Sequence, residues 1–180
     1  MKKLLLLPLL FFSIIFSTLS NSQEKIPSNL LLQLNVKEVI DQVDPRKIAN
    51  AIYTPLAVRY VKNNDFAPSC MLIDQTYPEN QLMLISPSEN GQFGNCHTAL
   101  KAPIIIKVMG EQFAIYRYTI EDPKSEFATS YQLVHLTQVG FQQCKNEELI
   151  HQSIEDGLSK KSSLLNASKR TLIKLGCSSQ

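Results

Sequence analysis

Four cysteines, Cys70, Cys96, Cys144 and Cys177, constrain this chain more than any other feature, because of what precedes them. Residues 1–22, MKKLLLLPLLFFSIIFSTLSNS, begin with Lys2 and Lys3. An apolar run from Leu4 to Phe16 follows, interrupted by Pro8 and Ser13, and the small residues Thr18, Ser20 and Ser22 close it. A charged start, an apolar middle and a small-residue end are the layout of a secretory signal peptide. The run is shorter than the roughly 20 apolar residues that a membrane-spanning helix needs. The sequence therefore predicts a leader over 1–22 that is removed on export, and a single domain over 23–180. The expected destination is the periplasm or the cell exterior. In such an oxidising compartment an even set of cysteines reads first as disulfides.

Charge adds an exclusion. The chain has 18 basic and 16 acidic residues, and removing Lys2 and Lys3 leaves 16 of each. A neutral surface gives no electrostatic case for a nucleic-acid partner, or for stable membrane association once the leader is gone.

Local patterns then place the cysteines on elements. In 28–43 the apolar residues Leu32, Val36, Val39, Ile40 and Val43 recur at helical spacing, with Ser28 as a cap. Asp44-Pro45 has the signature of a second helix start, with Ile48, Ala51 and Ile52 as its inner face. The pattern predicts helix over 28–53 with a kink near 44, and leaves 56–62 open between helix and strand. Strands are predicted at 70–76 and 81–86 around Tyr77-Pro78-Glu79-Asn80, at 103–109 and 112–120 around Gly110-Glu111, and at 131–139. Gly110 is expected to open a type II′ hairpin loop. Two C-terminal helices follow. The first is capped by Asn146, with the stripe Ile150, Ile154 and Leu158, and is broken by Gly157 and the run 159–163. The second carries Leu164, Leu165, Ser168, Leu172 and Leu175, and Gly176 ends it.

Cys144 lies just before the first of these helices and Cys177 just after the second. An antiparallel helix pair brings those two points together, which leaves Cys70 for Cys96. The fold expected is thus α+β: an antiparallel β-meander flanked by N-terminal helices and a C-terminal disulfide-stapled helical hairpin.

The competing chemistry is a Cys96 thiol acting as nucleophile. Of His97, His135 and His151, His97 would point away from Cys96 on an extended chain, so His135 is the better base. The order Cys96 then His135 resembles the layout of papain-like and cell-wall peptidases, which would imply hydrolysis of peptide or cell-wall amide bonds. The aromatic or Ser-Gly that follows the cysteine in those enzymes is missing here. No Cys or His pair has the spacing of a zinc site, so neither a metal nor a cofactor is expected. The acidic pairs Glu121-Asp122, Glu147-Glu148 and Glu155-Asp156 have solvated or helix-dipole roles open to them. Phe113, Tyr116, Tyr118 and Tyr131 lie on adjacent predicted strands. They would form a binding surface if one sheet face stays open, and ordinary sheet packing if it does not.

The expected function is therefore an exported, non-catalytic, disulfide-bonded protein that binds another protein of the cell envelope, as an inhibitor or immunity protein does. The alternatives are the cysteine hydrolase and a small-molecule or lipid carrier, which would need a sizeable apolar cavity.

Overall fold

Ala114, Tyr116 and Tyr118 alternate with Phe113 and Ile115 along one strand, so that strand has two apolar faces, and the architecture covers both. The computed structural model describes residues 26, 28–43, 50–74, 77, 80–85, 95–96, 102–121 and 127–178. The leader expected over 1–22 and the helix start expected at Asp44-Pro45 lie outside these. In chain order the elements are α1 (Ser28–Gln33), β1 (Val36–Gln42), β2 (Leu56–Lys62), β3 (Ser69–Ile73), β4 (Gln81–Ile85), β5 (Asn95–Cys96), β6 (Ile104–Val108), β7 (Glu111–Glu121), β8 (Phe127–Leu136), β9 (Phe141–Gln142), α2 (Glu147–Ser159) and α3 (Leu164–Leu175).

The strands form two antiparallel sheets. The first has the order β1-β2-β3-β4. The second has the order β5-β7-β8-β9, with β6 also paired to β7. One face of the second sheet, with Ala114, Tyr116, Tyr118, Val134 and Leu136, packs on Ala57, Cys70 and Leu72 of the first. Its other face, with Phe113, Ile115, Tyr131 and Leu133, packs on Ile150, Ile154, Ala167 and Leu172 of the helices. The far face of the first sheet presents Leu56, Val58, Tyr60, Met71 and Ile73 to Leu30 of α1. The layers run helix, sheet, sheet, helix pair. Every residue of β3 is consequently buried, and its sequence reads as an apolar run rather than an alternation.

The class is α+β, as the sequence predicts, but the N-terminal helix is far shorter than expected. It ends at Gln33, and Asn35 turns the chain with a φ of 54°. Residues 36–42 are a strand, and 50–55 contain no helix. The helical spacing has a physical cause. The β1–β2 ladder carries irregularities between Val36 and Glu38 and between Val39 and Asp41. Each bulge inserts a residue and resets the alternation of faces. Val36 and Val39 therefore both face the core three positions apart, which imitates a helix. Their β-branched side chains suit a strand. Within the same ladder Arg59 lies opposite Asp41 and its Nε donates to Oδ2 at 2.8 Å. The open segment 56–62 is strand β2.

Two further local expectations shift. The β6–β7 loop is Met109-Gly110, with φ of 51° and 88°, and Val108 pairs with Glu111. Positive φ at both central residues marks a type I′ turn rather than II′. Helix α2 passes through Gly157 and ends in a Schellman pair, Ser162 N–H to Gly157 O and Lys161 N–H to Leu158 O. Asn146 occupies the cap position without capping. Its side chain instead donates to Gly176 O at 3.2 Å and accepts from Ser178 N–H at 3.3 Å.

The turn between β3 and β4 centres on a buried carboxylate, Asp74. It accepts from Tyr53 Oη, Tyr77 N–H and Asn80 Nδ2. Gly140, in the β8–β9 turn, lies so close that a Cβ there would overlap Asp74 Oδ2. Gly140→Ala should lower stability to urea by about 1–3 kcal/mol, since a hydrogen-bonded carboxylate has to move.

Burial also sets a pH limit. It raises the Tyr60 phenol to about 12 and pushes Tyr116 and Tyr131 upward, the latter reinforced by Glu155. A raised folded pKa stabilises fully below the unfolded value of about 10 and is lost as pH climbs through the folded value. The urea midpoint should stay level up to about pH 9.5 and fall between about pH 10 and 12. Tyr60→Phe should remove part of that fall. A level midpoint across the window would contradict the buried phenols.

Candidate functional site

Cys96 reaches its place through a two-residue strand. β5 pairs with the far end of β7, Cys96 opposite Ile120, and the Cys96 N–H donates to Pro68 O at 2.9 Å. That puts it beside β3, where its sulfur is bonded to that of Cys70, the Cα atoms 5.8 Å apart. Both residues are fully buried, so the bridge ties one sheet to the other through the core. Cys144 and Cys177 form the second bridge, with Cα atoms 5.1 Å apart, at the base of the helical hairpin. Lys145 N–H donating to Ser178 O at 3.0 Å closes the same point. Both pairings are the ones that the sequence predicts, and no cysteine is free.

The nucleophile reading of Cys96 is thereby overturned. Its sulfur has no proton to give, and His135 is remote from it. His135 pairs with Phe113 of β7, seven positions from Ile120. At about 3.3 Å per residue the two points are about 23 Å apart along the strand. The His135 ring stacks on Phe113 with centroids 5.0 Å apart, as a packing side chain. His97 lies outside the described residues. His151 stacks on Tyr131 at 4.7 Å and sits 3.7 Å from Glu155.

The four aromatic residues considered as a binding surface are all interior. Phe113, Tyr116, Tyr118 and Tyr131 are 2%, 0%, 7% and 7% exposed. Phe113 and Tyr131 meet the helices, and Tyr116 and Tyr118 meet the other sheet. Neither face is open where these four side chains lie, so packing is their role. The acidic pairs scatter likewise. Glu147 accepts from Gln132 and Gln143, while Asp122 lies outside the described residues. Among the described residues no three His, Cys, Asp or Glu side chains gather as a metal site would require.

A lipid carrier needs apolar space. The apolar cavity between α1 and the first sheet, lined by Leu31, Val39 and Tyr60 among others, measures about 10 Å³. That is room for a single water-sized sphere.

The sequence reading missed a cleft between the start of β4, an edge strand of the first sheet, and β9, an edge strand of the second. It measures about 360 Å³ and is lined by Asn80, Gln81, Leu82, Phe141, Gln142 and Gln143. Asn80 bridges its walls, donating to Phe141 O at 3.1 Å from the turn that Asp74 organises. None of these lining side chains is charged. Four are amides, of which Asn80 already donates to Asp74 and Phe141 O and Gln143 to Glu147. The amide pairs Asn80-Gln81 and Gln142-Gln143 are visible in the sequence, 60 residues apart, but only the stacking of the sheets makes them neighbours.

The bridges make a direct prediction. Alkylating the native protein without reductant should add no mass, and unfolding with reductant should add four alkyl groups, one for each cysteine. Replacing Cys144 and Cys177 by serine should cost about 3–4 kcal/mol of stability on the loop-entropy estimate.

The chain matches no family model, no curated protein and no solved structure.

Proposed function

We propose that this chain is exported to the periplasm or beyond and works there without catalysis, by binding another protein of the envelope in the manner of an inhibitor or immunity protein. The leader pattern over 1–22 and two disulfides support the compartment. Among the described residues, no helix is long and apolar enough to cross a membrane.

The observation that carries the binding role is the uncharged, amide-lined cleft between β4 and β9. An extended segment of another protein presents alternating N–H and C=O groups. Amide side chains at two sheet edges complement both, as in recognition by strand addition. A rigid frame lowers the entropy cost of such binding, and the Cys70–Cys96 bridge fixes β3 against the second sheet.

The test is photo-crosslinking from position 142 in envelope extract, comparing the wild-type cleft with a Gln81→Arg variant. A discrete crosslinked protein with the wild type, reduced about tenfold or more in the variant at unchanged thermal midpoint, is the expected result. Identical crosslinking in both, or none where a known binder crosslinks, rejects the cleft as the docking site.

A further inference from the structure

We infer that the outer groove between α2 and α3 binds a phosphate ester whose alcohol carries a hydroxyl or ammonium group. The groove lies apart from the amide-lined cleft, and its chemistry is the opposite of neutral.

Charge is segregated along the hairpin. Residues 157–180 contain Lys160, Lys161, Lys169, Arg170 and Lys174 and no acid, whereas α2 carries Glu147, Glu148, Glu155 and Asp156 and no Lys or Arg. Three of those cations, Lys160, Arg170 and Lys174, line one groove of about 370 Å³. None of them forms an ion pair with a described residue. Like charges in one groove repel, and an anion between them relieves the repulsion.

The floor is built to let the cationic helix close in. Gly157 has no side chain, and a Cβ there would come within 2.9 Å of Ala167 Cβ and 3.9 Å of Arg170 Nη2. The guanidinium therefore lies over the floor, where Ser162 Oγ accepts one of its five N–H groups. The remaining donors form a fork that matches the oxygens of a phosphate. Ser153 and Thr171 add a pair of hydroxyls, 2.9 Å apart, across the helix interface.

Asp156 also lines the groove. With three cations it leaves a formal charge of +2, which balances the roughly −1.5 to −2 of a phosphate monoester at neutral pH. A carboxylate repels the ionised oxygens of inorganic phosphate and meets at most its residual P–OH. It accepts from a hydroxyl or ammonium on the alcohol of an ester, and that selects the class. A hydroxyl beside an esterified phosphate occurs on a free monoester and, with a single negative charge, on the diester headgroup of a phospholipid.

The experiment titrates sn-glycerol 3-phosphate, then inorganic phosphate, into the disulfide-bonded protein while amide resonances are followed. Saturable shifts at Ser153, Gly157, Lys160, Arg170 and Lys174 are expected. Arg170→Gln and Lys174→Gln should each weaken binding about tenfold. Asp156→Asn should abolish the preference for the ester while inorganic phosphate binds at least as well. Co-sedimentation with phosphatidylglycerol vesicles, and not with phosphatidylcholine vesicles, assigns the lipid source. Binding in solution without co-sedimentation assigns the free ester. Absence of saturation in both arms up to about 10 mM overturns the inference, against the millimolar limit of weak specific sites. So does unchanged affinity in both cation variants, or displacement of the ester by hexaglutamate at lower concentration, which would make the groove a surface for acidic protein.

Discussion

Burial of the second sheet on both faces is the constraint on which the rest of this structure depends. β7 and β8 place Tyr116 and Val134 on one side and Phe113 and Leu133 on the other. Two apolar faces need two covers. The first sheet supplies one, and the α2–α3 hairpin supplies the other. The first sheet then has its own far face to bury, which is what α1 does with Leu30.

Each disulfide sits where layers are joined. Cys70–Cys96 crosses from the first sheet to the second, and Cys144–Cys177 closes the helical hairpin just after β9 delivers the chain to it. The same bonds decide the chemistry. A cysteine bonded within the core contributes no thiolate. Among the described residues lie two unlike clefts, one neutral and lined by amides, the other cationic with a single carboxylate.

The parts of the fold legible in the sequence were those with undisturbed periodicity. β7 alternates over its whole buried length, and Ile150, Ile154 and Leu158 keep the four-residue spacing of a helix face. β1 was not legible, because its two bulges convert a period of two into one of three. The turn at Met109-Gly110 was misplaced by one residue because a non-glycine adopts positive φ there. Asn146 stands at a cap position, but the end of α3 competes for the same side chain and takes it. For Asn146 a contact distant in sequence outweighs a local preference worth about 1 kcal/mol.

By itself the sequence determined the α+β class and both disulfide pairings, because these rest on spacing and on which chain points two helices bring together. It also named His135 as the better partner for Cys96, and there only the tertiary structure could decide. The strand register places the two residues about seven positions apart along β7, far beyond hydrogen-bond reach. The clefts were likewise decided by the tertiary structure. Asn80 and Gln142 meet through the stacking of two sheets, and Lys160 and Lys174 meet through the folding back of one helix on another. A linear pattern records which side chains an element carries. Which elements share an edge is set by how their apolar faces are covered.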